Sequence, residues 1–363
     1  MNWKQKLQTT GWKAAEWLKG WVWRLRDLYH PSSFRQKGLF GSLALLLVTA
    51  LVIAVFVGMY WSLEPQALDV DRVALQRVGG DDSRLVVGAT YTATLIGIGE
   101  TLLDKPGGYL SNDVMPPGVW LDNMPNWEYG ALVMLRDGAA ALRNHFSRSQ
   151  SQSVEDPNLA EAEPRLNFRN DAWMFPPTER EYRKALKALD VYLQEMTDPG
   201  ARQAQFFARA DNLRQYLEIA EKRLGSLSQR LSASVGQLRI NTDLAGDNDA
   251  RKSTSTPAAS MIKTPWLQLD DVFYEARGAT WALAAILQAV ERDFGDILKK
   301  KNALLSLRQV VRELEESQQA VLSPVILNGS GFGLFANYSL TMANYVARAN
   351  AGIIDLRDLL QRG

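Results

Sequence analysis

The chain contains no cysteine and only two histidines among its 363 residues. The absence of cysteine excludes disulfide bonds, thiol nucleophiles and thiolate metal ligands. His30 precedes a long apolar run and His145 follows it, so zinc sites built on paired histidines are also excluded. No Gly-x-Ser-x-Gly elbow and no EF-hand calcium loop occurs, which removes the common triad and calcium motifs. The residue inventory therefore predicts no catalytic residue, no metal ligand and no cofactor.

The positive charge of the chain is concentrated at its start. Residues 1–37 carry eight Lys or Arg and two acidic residues, a net charge of +6. The remainder holds 33 basic and 38 acidic residues, a net charge of −5, although the whole chain is at +1. Nucleic-acid binding by this larger part is not expected, because neutralising phosphates requires clustered Lys and Arg.

Residues 38–63 form an uncharged run of 26 residues. About 20 apolar residues are enough for a helix to cross the hydrocarbon core of a bilayer, so the run predicts one transmembrane helix. A cleaved signal peptide is disfavoured because the run is too long and lies behind a basic leader. Since basic flanks stay in the cytoplasm, residues 1–37 are expected inside the cytoplasm and residues 64–363 outside it.

The leader, residues 1–37, has the pattern of an amphipathic helix. At the helical period its tryptophans fall on one arc, and basic residues border that arc. This arrangement is typical of a helix that lies on a membrane surface, here the anionic inner leaflet of the bilayer. The alternative is a helix that docks on a partner protein. The expected membrane-interface residues are Trp3, Lys6, Lys13, Trp17, Trp21 and Arg24.

Beyond the span, residues 64–83 are predicted to form a polar connector and residues 84–363 a helical domain. The uncharged part of its first helix, 85–99, is only 15 residues long, which favours a buried core helix over a second span. No Asn-Gly hairpin pattern appears, so the predicted fold class is all-α: a multi-helix bundle with long irregular loops. Helices are predicted over 84–104, about 126–148, 178–198, 206–231, about 268–299, from there to about 322, and over 334–361. Thr178 and Glu181 are expected to form a capping box at the start of the third of these helices. A polar loop is predicted at 149–165 and a mobile loop at about 244–262.

One predicted helix has coiled-coil spacing. From Phe206 to Leu231 its apolar residues alternate steps of four and three, the repeat that lets two helices pack along a continuous seam. A seam within one chain is the commoner use of this pattern, and a homo-oligomer formed through the seam is the alternative.

Two segments between the predicted helices carry the candidate binding residues. Residues 104–127 contain four prolines and three glycines, which prevent a regular helix, and a loop this long within a helical domain is usually functional. Its mixture of aromatic and polar side chains suits a polar, partly apolar ligand or a partner chain. The alternative is an ordered linker whose aromatic rings plug the end of the bundle. The candidates are Lys105, Tyr109, Asn112, Trp120 and Trp127, with Trp173 and Phe175 in a second segment, 173–177.

The two segments also carry a resemblance. GETLLDKPGGYLSNDVMPPG (99–118) and WMFPPTEREYR (173–183), behind a single N-terminal span, resemble the bacterial membrane-protein family catalogued as domain of unknown function 2333. The resemblance covers nearly the full length of the chain. It implies a Gram-negative inner-membrane protein with a periplasmic domain, and it implies no activity and no residue role.

Three functions are compatible with these features. The first is a membrane-anchored scaffold or binding protein of the bacterial envelope, whose domain recognises another protein, a lipid or a wall component. The second is an envelope hydrolase or transferase that uses carboxylates near 100–122 and Lys105. The third is an accessory subunit of a secretion or transport assembly, in which small residues of the span allow close helix packing. The first is favoured, because enzymes normally show a recognisable acid–base or nucleophile constellation.

Overall fold

The apolar helix predicted near the N-terminus is present. α1 begins at Pro31 and ends at Trp61, and its stretch from Gln36 onward is long and apolar enough to cross a membrane. Its apolar side chains, Phe40 among them, are exposed. Gly38 interrupts the helix with a φ of 67°, a conformation that glycine adopts without a Cβ clash.

The remaining elements are almost all helical, which confirms the predicted fold class. The computed structural model describes residues 16, 19–20, 23–24, 26–148, 154–198, 200, 204–240, 259–321, 323 and 325–362. Residues 1–59 and 60–363 form two separate compact units. The second unit contains α2 (Val70–Arg77), α3 (Ala89–Asp104), α4 (Asn123–Ala141), α5 (Pro157–Leu166), α6 (Thr178–Thr197), α7 (Ala210–Ser232), β1 (Gln237–Ile240), β2 (Ala259–Ile262), α8 (Leu269–Asp293), α9 (Gly295–Lys300), α10 (Leu304–Glu316) and α11 (Tyr338–Arg362).

Helices α4 and α8 pack with their backbones nearly in contact. A Cβ on Gly278 would lie 1.9 Å from the carbonyl oxygen of Trp127, and one on Gly130 would lie 1.9 Å from that of Glu275. Glycine is therefore required at both positions, and its cost to helix stability is offset by the close approach. The rings of Trp127 and Trp281 lie beside this crossing, with their centroids 5.1 Å apart.

The end of the bundle at which α8 ends is closed by aromatic packing, and we call it the closed end. The Asp293 carboxylate accepts a hydrogen bond from the backbone N–H of Tyr91, near the start of α3, at 2.7 Å. Around it the rings of Phe146, Phe206 and Phe294 pack at centroid distances of 5.2–5.6 Å. These contacts join the beginning of α3 to the end of α8.

The opposite end, at which α8 begins, is called the open end. Asn126, in the first turn of α4, donates a hydrogen bond to Asp271 in the first turn of α8 at 2.7 Å. The ring of Tyr338, the first residue of α11, lies 6.5 Å from that of Phe273. α8 has 25 residues, so the two ends of the bundle lie about 37 Å apart at the helical rise per residue.

The heptad pattern of α7 forms a seam within the chain. Leu213, Leu217 and Leu224 are fully buried, and α7 packs against α11 along its length. An ion pair between Glu221 and Arg357 borders this packing. The apolar face of α7 therefore packs within the chain, and the coiled-coil geometry stays a prediction.

Two segments predicted as irregular contain short helices. The connector 64–83 includes α2, and the polar loop 149–165 includes most of α5. Each begins at an aspartate, Asp69 or Asp156, whose carboxylate accepts hydrogen bonds from the first-turn N–H groups, and this capping compensates for their shortness. Their amphipathic pattern is too short to stand out in the sequence.

The capping box predicted at Thr178 and Glu181 is not formed. Pro177 is the residue that precedes the helix, and the Thr178 hydroxyl instead donates to the carbonyl oxygens of Arg169 and Ala172 at 2.8 and 3.0 Å. Glu181 pairs with cationic side chains. Thr178 therefore holds the preceding loop against α6 instead of capping the helix.

The mobile loop predicted at 244–262 is wrong over its last four residues. Ala259–Ile262 forms β2, which pairs antiparallel with β1 so that Gln237 lies opposite Ile262. The strand is followed by a hydrogen bond from the Thr264 N–H to the carbonyl oxygen of Ala233 at 3.0 Å, which ties the strand pair to the end of α7. Residues 244–258 lie outside the described part of the chain.

The buried carboxyl group of Asp293 is expected to make the free energy of unfolding depend on pH. Burial raises the pKa of its carboxyl group to about 7, against the opposing effect of the Tyr91 N–H. The native state therefore binds this proton more tightly than the unfolded chain, so the group's contribution to stability is greatest below pH 4 and falls as the pH rises to about 7. The Asp293→Asn variant should lose this pH dependence, which amounts to at most about 4 kcal/mol of unfolding free energy over that range.

The measurement is chemical denaturation of the detergent-solubilised chain from pH 4 to 8, followed by circular dichroism. An unchanged slope in the Asp293→Asn variant would contradict the assignment. The asparagine oxygen still accepts from the Tyr91 N–H, so the comparison isolates the charge.

Candidate functional site

The Pro/Gly segment that follows α3 is held by a buried ion pair. The Lys105 ammonium contacts the Glu128 carboxylate of α4, and the two side chains are 1% and 0% exposed. Lys105 also donates to the carbonyl oxygen of Gly108, which closes the first turn of the segment. The candidate lysine is therefore engaged inside the protein.

Glu128 binds the backbone of the same segment. Its carboxylate accepts hydrogen bonds from the N–H groups of Leu110 and Ser111, both at 2.8 Å, and from the Ser111 hydroxyl at 2.5 Å. Burial raises the pKa of Glu128, while Lys105 and these hydrogen bonds oppose the rise. With every partner in place, the carboxylate organises a loop that has no regular secondary structure.

Tyr109 and Asn112 are also buried. The Tyr109 ring packs edge-on against Tyr182 of α6, with centroids 5.7 Å apart. The Asn112 amide donates to the carbonyl oxygen of Ala172 and to the Glu179 carboxylate, both at 2.9 Å. Asn112 thus joins the two candidate segments, which the sequence placed about sixty residues apart.

Trp127 is a core residue. It is 0% exposed and packs against Trp281 beside the contact of α4 with α8. Its position predicts a role in the stability of the bundle, because a ring of this size dominates local packing.

The other three candidates are at the surface. Trp120 is 55% exposed, Trp173 is 54% exposed and Phe175 is 91% exposed. Met115, which precedes Trp120 in the Pro/Gly segment, is 72% exposed. The segment thus buries the polar side chains of Lys105 and Asn112 and exposes the apolar side chains of Met115 and Trp120.

Sequence reasoning missed further apolar side chains at the open end. The turn before α8 exposes Trp266 and Leu267, and the loop before α11 exposes Phe332 and Phe335. Apolar stretches as short as these carry no periodic pattern, although Trp266 directly after Pro265 is visible in the sequence. We call the whole set the apolar rim: Val114, Met115, Val119, Trp120, Trp173, Met174, Phe175, Leu238, Ile240, Met261, Ile262, Trp266, Leu267, Phe332, Leu334 and Phe335.

The carboxylates of the same region are dispersed. Glu100 forms an ion pair with Arg77, and Asp104 pairs with Arg183 at 2.8 Å. Asp122 caps α4 by accepting from the N–H of the next residue. Among the described residues no group of three or more His, Asp or Glu side chains is arranged to hold a metal ion.

A cleft of about 680 Å³ opens beside the strand pair. Arg230 lines it, but its guanidinium makes two hydrogen bonds to the Glu275 carboxylate, at 2.5 and 2.6 Å. The most prominent charge in the cleft is therefore already neutralised.

The leader residues lie mostly outside the described part of the chain. Arg24 is described, and it is helical and exposed. Nearby, the Arg26 guanidinium lies 5.1 Å from the centroid of the Trp23 ring, a cation–π geometry. The remaining leader predictions, Trp3, Lys6, Lys13, Trp17 and Trp21, fall outside the description.

Comparison with known proteins gives one result. The family DUF2333, described as an uncharacterized protein conserved in bacteria, matches residues 34–363. The resemblance carried by segments 99–118 and 173–183 is thereby confirmed. No curated protein and no solved structure matches the chain.

The buried ion pair yields a stability prediction. Lys105→Met leaves the Glu128 carboxylate buried without its cation, which typically costs about 3–5 kcal/mol. The double variant Lys105→Met/Glu128→Gln should recover part of this loss, since the glutamine carbonyl can still accept from Leu110. The measurement is the free energy of unfolding in detergent.

A matched control is Arg169→Met, which breaks an ion pair with Asp171 that is exposed on both sides. It should leave the free energy of unfolding nearly unchanged. If Lys105→Met were no more destabilising than this control, the pair would not hold the segment.

Proposed function

The chain belongs to the uncharacterized bacterial family DUF2333, and we propose that it is a membrane-anchored scaffold or binding protein of the cell envelope without enzymatic activity. α1 is the anchor and the helical bundle carries the recognition surface. The +6 leader is proposed to lie in the cytoplasm, so that residues 64–363 lie in the periplasm at the inner membrane.

The observation that carries the proposal is that the Pro/Gly segment buries two polar side chains and exposes an aromatic and an apolar one. Lys105 and Asn112, its most versatile polar groups, are bonded inside the protein, whereas Met115 and Trp120 are exposed. Exposed aromatic side chains are the usual anchors of binding surfaces. Acid–base catalysis instead requires polar groups within reach of a substrate.

The arrangement of the carboxylates supports the same proposal over a hydrolase or transferase. Glu100 and Asp104 are neutralised by different arginines, and Asp122 caps a helix. A glycosidase-type mechanism needs two carboxylates that face one another across a substrate. The contacts of Glu100, Asp104 and Asp122 are with protein groups and do not provide such a pair.

The leader is proposed to bind the anionic inner leaflet of the same membrane. Arg24 and Arg26 are exposed, and Trp23 lies beside them. Each basic residue near an anionic membrane surface contributes about 1 kcal/mol of attraction, and tryptophan prefers the interface. Both ends of α1 would then be fixed at membrane surfaces.

The topology can be tested with fused reporters. A reporter that is active only outside the cytoplasm should work when it is fused after Gly363 and fail when it is fused at Gly20, because the chain crosses the membrane once. A cytoplasmic reporter that works at the C-terminus would contradict the proposed location of the domain.

Recognition can be separated from catalysis by substitution. Trp120→Ala and Phe175→Ala remove exposed rings and should abolish complementation of a deletion strain at normal protein level, since loss of an aromatic anchor costs about 2 kcal/mol or more. Glu100→Gln, Asp104→Asn and Asp122→Asn should each complement. The readout is the envelope phenotype of the deletion together with the protein level in membranes.

Trp127→Ala is the control for loss of structure. Trp127 is buried, so this variant should lower protein level and activity together. Loss of complementation by one carboxamide variant, with the exposed-ring variants active, would favour an enzyme.

A further inference from the structure

The chain that follows α1 is fastened along α8. Glu64 forms an ion pair with Arg277 at 2.7 Å, and the carbonyl oxygen of Gln66 accepts a hydrogen bond from the Trp281 ring at 2.9 Å. Farther on, Asp71 pairs with Arg292. These partners follow one another along α8, so the chain from Glu64 to Asp71 runs toward the closed end.

Arg277 is a strong attachment point. It is 4% exposed, and besides Glu64 it donates to the carbonyl oxygens of Ser317 and Gln319 at 3.1 and 3.0 Å. A buried guanidinium with this many partners fixes the position of Glu64. The chain at Glu64 is therefore anchored to α8.

Trp61, the last residue of α1, contacts the Pro/Gly segment. A Cβ on Gly107 would lie 2.7 Å from the Trp61 ring, so the ring lies directly over this glycine. Arg277 is eight residues, about 12 Å, from the first residue of α8, and the three residues from Trp61 to Glu64 span at most about 10 Å. Trp61 thus lies close to the level of the open end.

The exposed aromatic residues of the domain are gathered at that level. Trp120, Trp173 and Trp266 are the exposed tryptophans of residues 60–363, and all three belong to the apolar rim. Tryptophan and phenylalanine favour the interface between lipid and water, where the ring is buried and polar groups stay hydrated. Exposed apolar patches of this kind mark membrane or protein contacts.

We propose that the apolar rim lies on the surface of the same bilayer that α1 crosses, with its aromatic side chains among the lipid headgroups. The proposal rests on the proposed function and names lipid as the component that this surface recognises. Lipid is favoured over a protein partner because Trp61 and the fastened connector bring the rim to the membrane boundary whatever else is bound.

The absence of cysteine permits a direct test with single-cysteine variants of the full chain. Leu267→Cys reports on the rim, and Leu305→Cys is a matched control, since the two leucines are 77% and 76% exposed. Leu305 lies near the closed end, where Arg308 of the same helix pairs with Glu291 at 2.7 Å. Phe175→Cys is a second rim site.

Each variant is labelled with a nitroxide and reconstituted in vesicles of zwitterionic and anionic phospholipid. A nitroxide at position 267 or 175 should collide more often with oxygen than with a water-soluble nickel chelate. At position 305 the nitroxide should collide more often with the nickel chelate. Circular dichroism confirms that each labelled variant is folded. Nickel-dominated collisions at all three sites would overturn the proposal.

Labelling of the same cysteine variants in native membranes distinguishes failure of the lipid-docking proposal from failure of the proposed binding function. In one outcome the rim sites are exposed to water in vesicles but protected from a membrane-impermeant thiol reagent in native membranes. A protein then covers the rim, so the proposal of lipid docking is wrong and the proposed binding function stands. If the sites react freely in both, the rim is uncovered and both proposals are wrong.

Discussion

The open end of the bundle depends on the buried contact between Lys105 and Glu128. Removing an ammonium and a carboxylate from water is expensive, and here the cost is offset by their mutual contact and by hydrogen bonds to both groups. Most of these hydrogen bonds involve backbone groups of the Pro/Gly segment, so a loop that cannot form a helix is nevertheless fixed. Lys105 and Asn112 are engaged inside the protein, whereas Met115 and Trp120 lie at the surface.

A second buried cation, Arg277, extends this order to the chain that follows α1. It binds Glu64, immediately beyond the apolar helix, and the carbonyl oxygens after α10. Its neighbour Gly278 is the glycine at which α4 and α8 touch. The same stretch of α8 therefore packs the core and holds Glu64, and the close approach of α4 explains the presence of a glycine in the middle of a long helix.

The sequence predicts the features that are set by periodicity and length. The apolar run, the long helices and the seam of α7 are of this kind, since each repeats a pattern over many residues. It does not predict the burial of Lys105 or Trp127, because burial of a residue in a loop or first turn depends on partners far along the chain. Trp120 and Trp127 look alike in sequence, yet one is exposed and the other is in the core. Asp69 and Asp156 show the reverse case, in which a capping residue was present but the helix behind it was too short to be recognised.

If the apolar rim lies on the bilayer as proposed, the closeness of Trp61 to the fastened Glu64 bears on how strongly the rim must bind. Ser62 and Leu63 are the residues between Trp61 and Glu64, so Trp61 is held beside the bundle. A tethered surface meets its partner at high effective concentration, and weak contacts are then sufficient. Under the proposal, scattered aromatic rings such as Trp173 and Trp266 would therefore be adequate. A surface covered in this way would also be protected from self-association, in keeping with the many exposed apolar side chains at one end of the bundle.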